Sequence, residues 1–277
     1  MEKELSQAER LDYLVEAFKS ESEDYRDLKT PADLEGKRIV LRSLMNIRMP
    51  HKMVEETIQI QDEYLKERIK ENGIVVLSEI PSLKERGSQK LCADHLSIWQ
   101  GDITRLKVDA IVNAANAQML GCFIPMHTCI DNCIHTFAGI QLRQECDRQM
   151  KQKRILYGED YEQPTGIPLL TDGYNLPAKK VIHVVGPIVY HGLTSLLEEE
   201  LAACYRNVLD LCAQNDIKSV AFCCISTGVF HFPNRRAAQI AVRTVTDWLS
   251  SHPDVMERVI FNVFKDEDKE YYEEELL

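Results

Sequence analysis

The sequence lacks the features that place a chain in a membrane or along a nucleic acid. It contains no apolar run long enough to span a bilayer, and residues 1–11 lack the apolar core of a secretion signal. Basic residues are outnumbered, with 33 Lys and Arg against 44 Asp and Glu, for a formal net charge of -11. Nonspecific binding to nucleic acid or to an anionic membrane requires a basic face, which this composition disfavours. We therefore expect a cytoplasmic protein with no nucleic-acid or membrane partner.

Structural disulfides are not expected either. The chain has nine cysteines, an odd number, and no export signal that would send them to an oxidising compartment. Cys204, Cys212, Cys223 and Cys224 lie in apolar helix or strand patterns, where cysteine behaves as a small hydrophobic residue. These four are predicted to be free thiols in the core.

The first part of the chain, residues 1–85, is predicted to be a small helical segment. Apolar residues recur at helical spacing within residues 11–18 and again within residues 58–69. The segment has no cysteine, no glycine-rich loop and only one histidine, His51, so it is not expected to carry the chemistry. We expect it to shape the mouth of a cleft or to dock a partner protein. A polar, turn-rich stretch at residues 81–88 marks its boundary.

The second part, residues 86–277, is predicted to be an α/β domain. Short apolar runs alternate with longer amphipathic ones, which is typical of a largely buried sheet with parallel pairing through right-handed crossovers. The candidate strands are residues 96–99, 110–112, 181–185, 220–224 and 259–263. The candidate helices are residues 132–149, 193–215 and 234–250.

Two stretches follow predicted strands in a way that suits a sugar or a diphosphate. Asn113 and Asn116 close the strand that begins at residue 108, and their amides could bind sugar hydroxyls at the edge where parallel sheets hold ligands. Residues 226–230 (Ser-Thr-Gly-Val-Phe) form a small-residue loop whose backbone N–H groups could face a phosphate. The alternatives are an ordinary asparagine turn and an ordinary strand-to-helix connection. Residues 226–230 match neither the P-loop nor the dinucleotide fingerprint.

The most unusual stretch contains Cys122, His127 and Cys129 in a short loop with a proline. Two thiolates and an imidazole favour zinc, and three protein ligands leave a fourth position open, as in catalytic zinc sites. Cys133 and His135 are further candidates for the fourth ligand, but a spacing of two puts them on different faces of the predicted helix. The alternative is a cysteine-rich loop with no metal.

Together and in this order, these motifs resemble the macrodomain family, whose members bind ADP-ribose. The resemblance covers residues 96–277 and is carried by residues 101–104, 108–116, 134–139 and 226–230. Where one hydrolase branch of the family has several glycines, this chain has the Cys-His-Cys loop, which resembles the zinc-dependent microbial subfamily. The fold that the resemblance implies is a three-layer α/β/α macrodomain with a mixed, largely parallel sheet, after a helical N-terminal segment.

The resemblance also implies roles for individual residues. Asp102 and Ile103 would recognise adenine, the loop of residues 226–230 would wrap the diphosphate, and Asn116 with Asn113 would fix the distal ribose. The turn of residues 129–132 would close over the same sugar. The implied substrate-binding residues are Asp102, Ile103, Asn113, Asn116, Cys129, Ile130, Asp131, Asn132, Ser226, Thr227, Gly228, Val229 and Phe230. One Zn²⁺ per chain would be held by Cys122, His127 and Cys129.

The activity that the resemblance implies is hydrolysis at the anomeric carbon of the distal ribose, which would release mono-ADP-ribose from protein side chains, chiefly from carboxylate esters. Asn116 would orient the sugar, and Asp131 would either assist proton transfer, order the metal loop or simply cap the helix beside it. The implied partners are a sirtuin-like transferase and a modified lipoyl-carrier protein. The alternatives are a non-catalytic ADP-ribose reader, an O-acetyl-ADP-ribose deacetylase, and a redox sensor in which Cys122 and Cys129 form a reversible disulfide.

Overall fold

The computed structural model describes residues 5–277, so residues 1–4 of the predicted N-terminal segment lie outside the described residues. Within residues 5–277, no helix has the length and the apolar character needed to cross a membrane.

Four helices form the N-terminal segment: α1 (Gln7–Ser20), α2 (Glu23–Arg26), α3 (Leu34–Ile47) and α4 (Glu55–Asn72). The two predicted apolar stripes, residues 11–18 and 58–69, lie in α1 and α4. Ser6 caps α1 in a reciprocal box with Glu9, and Asp33 caps α3 by accepting from Gly36 N at 2.8 Å. The apolar faces of α1, α3 and α4 meet in a small core of their own. Ile140 from the α/β part is buried in the same core, so the helical segment is packed against the rest of the chain.

The α/β part is built on a six-stranded sheet. Its strands are β2 (Leu96–Gln100), β4 (Ala110–Ala115), β5 (Leu169–Asp172), β6 (Lys180–Val185), β7 (Ser219–Phe222) and β8 (Arg258–Val263). They are ordered β2-β8-β7-β4-β6-β5. All neighbours pair in parallel except β5 with β6. Two short strands, β1 (Val75–Val76) and β3 (Leu106–Lys107), pair in a separate parallel ladder. The five predicted strands are therefore consecutive in one parallel run, β2-β8-β7-β4-β6, and β2 lies at the edge of the sheet.

Helices cover both faces of this sheet and complete the predicted three-layer α/β/α fold. Helices α7 (Ser195–Gln214), α8 (Asn234–Ser251) and α9 (Asp266–Leu276) pack side by side as one layer. Helices α5 (Ile130–Ala138) and α6 (Ile140–Tyr157) belong to the other layer, and α3 and α4 contact α5 there. The N-terminal helices thus lie beside α5, the helix that begins directly after the Cys-His-Cys motif.

The structure differs from the sequence prediction at several elements. The single helix predicted over residues 132–149 is two helices, because Gly139 takes φ +94° and Gln61 from α4 accepts a hydrogen bond from Ile140 N at 3.2 Å. The short antiparallel strand β5 and the acidic helix α9 were not predicted. Helix α9 buries Tyr272 and Leu276, but its remaining residues are mostly charged and hide this apolar pair in the sequence.

Candidate active site at the carboxyl ends of the strands

The two predicted asparagines, one in strand β4 and one directly after it, connect the strand to the Cys-His-Cys loop (defined as residues 120–129) and to the helix after that loop. Asn113 is fully buried, and its Nδ2 donates to Asp131 Oδ1 at 2.7 Å. Asn116 lies just past the end of β4, where its Nδ2 donates to Gly121 O at 3.1 Å. One asparagine therefore holds the start of the loop and the other holds the first turn of the helix that follows it.

The loop brings the three predicted metal ligands together. The ligand atoms of Cys122, His127 and Cys129 all lie within 4.8 Å of one another, and Cys122 Sγ is 3.5 Å from His127 Nδ1. All three side chains are half-buried, which leaves one side accessible. Neither Cys133 nor His135 belongs to this group. Two sulfurs and an imidazole nitrogen at this separation fit a soft, tetrahedral ion such as zinc.

Cys129 also begins helix α5 as its N-cap, because its Sγ accepts a hydrogen bond from Asn132 N at 3.4 Å. Burial, together with the neighbouring Cys122 and Asp131, raises the pKa of the Cys129 thiol to about 12, against the lowering effect of the hydrogen bond from Asn132 N. A thiolate at this position is therefore costly unless a cation compensates its charge. Without a cation beside it, Cys129 is therefore a neutral thiol at neutral pH and not a free nucleophilic thiolate.

Asn132 is the centre of the hydrogen bonds inside the loop. Its side chain is fully buried, and Nδ2 donates to Ile124 O at 3.0 Å and to Cys122 O at 3.3 Å. Gly121 has φ +80°, and a Cβ there would come within 2.8 Å of the His135 ring. The loop conformation therefore depends on Gly121 at its start and on contacts with His135 and Asn132 of helix α5.

Asp131 lies beneath the loop and is 5% exposed. Burial raises the pKa of its carboxyl to about 6, against the lowering effect of the Asn113 hydrogen bond and of the Arg143 charge. The alternative that Asp131 caps α5 is not what the structure shows, since Cys129 occupies the cap position.

Behind Asp131 lies a second group of ligand-type side chains, His135, Cys146 and His183, all buried. His183 Nδ1 is 3.0 Å from Asn113 Nδ2, and its Nε2 is 3.1 Å from Thr171 Oγ1. Burial lowers the pKa of His183 to about 3. Burial also lowers the pKa of His135, with smaller contributions from its electrostatic interactions with His183 and Arg143. Both rings are therefore neutral at pH 7, and His183 fixes the amide of Asn113. The only sequence signal for His183 was a polar residue in an otherwise apolar strand.

Acid should destabilise the fold through His183. Its folded pKa is depressed, so the unfolded chain takes up a proton as the pH falls below about 6.5 while the folded chain does not, and stability is lost in that direction. The lowered pKa of His135 also reduces the stability of the fold as the pH falls. The raised pKa of Asp131 has the opposite effect, because the folded chain takes up that proton more readily than the unfolded chain. In urea unfolding of zinc-free protein, His183→Gln should reduce the slope of stability against pH by about 1.4 kcal/mol per pH unit between pH 4.5 and 5.5. The exposed His191→Gln is the control, and equal slopes for wild type and His183→Gln would contradict the assignment.

The loop after β7, residues 226–230, leaves several polar groups without a partner among the described residues. Ser226 is buried with φ +66°, and its Oγ has no hydrogen-bond partner among the described residues. Within that same part of the chain, the backbone N–H groups of Gly228, Val229 and Phe230 donate no hydrogen bond. Gly186, directly after β6, allows the close approach of this loop, since a Cβ there would lie 2.0 Å from Ser226 Oγ. Free N–H groups in a strained turn are a typical anion-binding arrangement.

The loop after β2 carries the other end of the predicted site. Asp102 caps a short 3-10 helix, Ile103–Arg105, with Oδ1 accepting from Thr104 N at 2.9 Å and from Thr104 Oγ1 at 2.7 Å. Ile103 is buried beneath it. Strands β2 and β4 are three positions apart in the sheet, which is about 14 Å at a strand spacing of ~4.8 Å. Parallel pairing places the loops after β2, β7 and β4 at one edge, in an arrangement that suits an extended ligand.

Sequence reasoning missed the residues that support this site from elsewhere in the chain. Arg42 and Asn46 of α3 and Arg143 of α6 all hydrogen-bond to the Cys-His-Cys loop. The two α3 residues lie 80 or more positions from their loop partners, and no local pattern indicates such a contact. The helical segment that was not expected to carry chemistry therefore touches the candidate metal site.

Comparison with known proteins gives a consistent result. The sequence profile described as Macro domain matches residues 112–241. A protein-ADP-ribose hydrolase of Treponema medium is 46% identical over 97% of this chain and 98% of its own length. A protein-ADP-ribose hydrolase of Staphylococcus aureus strain MRSA252 is 40% identical over 99% of this chain and 97% of its own. The crystal structure of a Trypanosoma brucei macrodomain in complex with ADP-ribose superposes with a TM-score of 0.63 at 26% identity, covering 84% of this chain and 94% of that one.

Proposed function

The chain belongs to the macrodomain family, and we propose that it is a protein-ADP-ribose hydrolase whose zinc ion is held by Cys122, His127 and Cys129. The observation that carries the zinc proposal is the convergence of these three ligand atoms within 4.8 Å beside the asparagine end of β4. The names of the two bacterial relatives, which match nearly the whole chain, support the hydrolase activity.

The proposed substrate lies across the carboxyl edge of the sheet. Asp102 would accept from the adenine amine with Oδ2, because Oδ1 is already bound to Thr104. The N–H groups of residues 228–230 would bind the diphosphate, and Phe230 would pack on ribose. Asn116 would then orient the distal ribose next to the start of the Cys-His-Cys loop, where its Nδ2 already donates to Gly121 O. This order along the edge brings the scissile bond to the metal ligands.

The proposed reaction is hydrolysis of the bond between the anomeric carbon of the distal ribose and a side-chain carboxylate oxygen. Water supplies a hydroxyl to one product and a proton to the other, giving ADP-ribose and a free carboxyl group. A zinc ion bound to the loop would supply Lewis-acid polarisation of an oxygen or of water. Asn116 positions the sugar. Asp131 is buried and bound to Asn113, so we assign it the ordering of the loop and α5 in preference to direct proton transfer.

Turnover on matched substrates tests this function against its two nearest alternatives. We expect release of ADP-ribose from a protein mono-ADP-ribosylated on glutamate or aspartate, with slower release from a protein modified on arginine. Faster turnover of O-acetyl-ADP-ribose than of any modified protein would make the chain a deacetylase. Tight ADP-ribose binding in calorimetry with no turnover of either substrate would make it a reader.

The cellular setting of this activity follows from composition and from the resemblance. All nine cysteines are free, which suits the reducing conditions of the cytoplasm. We propose a mono-ADP-ribosylated protein as the substrate, with a lipoyl-carrier protein modified by a sirtuin-like transferase as the first candidate to test.

A further inference from the structure

Helix α3 of the N-terminal segment reaches directly into the Cys-His-Cys loop through Arg42. Its Nη2 donates to the backbone oxygen of His127 at 2.9 Å and to Asn132 Oδ1 at 2.9 Å, and lies 3.6 Å from Cys133 Sγ. His127 is one of the three proposed ligands, and Asn132 is the residue that holds the loop together internally. One guanidinium group therefore fixes both a ligand and the centre of its support.

Asn46, one turn further along α3, makes a second attachment. It is buried, its Oδ1 accepts from Met126 N at 3.0 Å, and its Nδ2 donates to Thr136 Oγ1 at 2.9 Å. Met126 has φ +57°, a backbone conformation that L residues rarely adopt and that surrounding contacts must maintain. Asn46 thus connects α3 to the loop at Met126, the residue before His127, and to helix α5 at Thr136.

Arg143 of α6 makes a third attachment between the loop and α3. This buried side chain donates from Nε to Leu120 O at 2.7 Å, at the start of the loop, and from Nη1 to Asn46 O at 2.9 Å, at the end of α3. Its guanidinium also lies 4.2 Å from the centre of the Phe123 ring. The loop has no helix or strand of its own between Leu120 and Cys129, so these attachments supply its outer support.

We infer that α3 is part of the metal site, and that Arg42 and Asn46 are positioning residues that preorganise the ligands of the Cys-His-Cys loop. This inference rests on the proposed zinc function. Partners that orient metal ligands typically change metal affinity by about 10- to 100-fold when they are removed. The N-terminal segment is then a functional requirement of this hydrolase, in addition to any role in docking its substrate.

The test compares two arginines of the same helix. Arg42→Met removes the contacts to His127 and Asn132. Arg38→Met removes the contacts of Arg38 with Glu35, Glu71 and Tyr64, none of which lies in the Cys-His-Cys loop. Zinc transfer from the full chain to a chromophoric chelator should be about 10- to 100-fold faster for Arg42→Met than for wild type, and unchanged for Arg38→Met. Arg42→Lys, which keeps a cationic donor, should restore part of the retention. A structural role of Arg42 unrelated to the loop would give no such rescue.

Hydrogen exchange on the zinc-free proteins separates this inference from the proposed function. Amides of residues 122–132 should exchange faster in Arg42→Met than in wild type or Arg38→Met, with the rest of the chain unchanged. Zinc in the wild type together with equal zinc transfer and equal exchange in both variants would overturn the inference alone. Absence of zinc from the wild type would overturn the metal function, and loss of protection at residues 122–132 would still establish the attachment of the loop to α3.

Discussion

Replacing Cys129 with alanine is expected to abolish stoichiometric zinc binding and to reduce ADP-ribose release by at least ~10²- to 10³-fold, since Lewis-acid stabilisation of several kcal/mol is lost with the metal. ADP-ribose binding should persist, because the loops after β2 and β7 do not depend on this side chain. The measurement is zinc content by elemental analysis, single-turnover release of ADP-ribose, and calorimetric affinity for ADP-ribose on the same preparation.

Cys133→Ala is the matched control for this prediction. Cys133 lies four residues further along the same segment, yet it is outside the group of three ligand atoms. The Cys133→Ala variant should therefore keep its zinc and most of its activity. Equal losses in the two variants would mean that the loop responds to any cysteine substitution, and retained zinc in Cys129→Ala would remove the proposed ligand set.

Replacing Gly186 with alanine is expected to lower the affinity for ADP-ribose at least tenfold while zinc binding is retained, the reverse of the result expected for Cys129→Ala. The added Cβ would lie 2.0 Å from Ser226 Oγ and 2.7 Å from Ile225 Cγ2, so the loop of residues 226–230 must move. Overpacking of this kind typically costs about 1–3 kcal/mol, which the variant can meet by displacing the loop. Calorimetry with ADP-ribose and zinc analysis of the same samples give the result.

Gly228→Ala provides the comparison within the same loop. A Cβ at Gly228 meets no atom within 4 Å, so this variant should unfold at the wild-type temperature. Any loss of ADP-ribose affinity in Gly228→Ala then reports contact with the ligand itself. Unchanged affinity in Gly186→Ala would show that the loop does not hold the diphosphate.

The sequence allowed prediction of the sheet because its buried strands are short, mostly apolar runs, interrupted by single polar residues such as Asn113 and His183. Strands β4, β6 and β8 read in this way, and their order with intervening helices indicates parallel pairing. Strand β5 was missed because only two of its four residues, Leu169 and Leu170, are apolar, and because its antiparallel pairing at the edge leaves no pattern in the sequence. The break between α5 and α6 depends on Gln61, which comes from a distant helix, so local periodicity across Gly139 was misleading.

The candidate site was predictable where its chemistry is local. Cys122, His127 and Cys129 lie within eight residues of one another, and the structure brings their ligand atoms together. The substrate-binding roles of Asp102, Asn116 and residues 226–230 remain predictions. Arg42, Asn46 and Arg143 were not predictable, because each acts through hydrogen bonds to residues more than 20 positions away. Long-range attachment of this kind leaves no spacing pattern in a single sequence.

The central claim, a catalytic zinc on the Cys-His-Cys loop, is tested most directly by measuring metal content and ADP-ribose release from a mono-ADP-ribosylated protein before chelation, after chelation and after zinc is returned. We predict about one zinc per chain, loss of release on chelation and recovery with zinc. Release that continues undiminished in metal-free protein would contradict the claim.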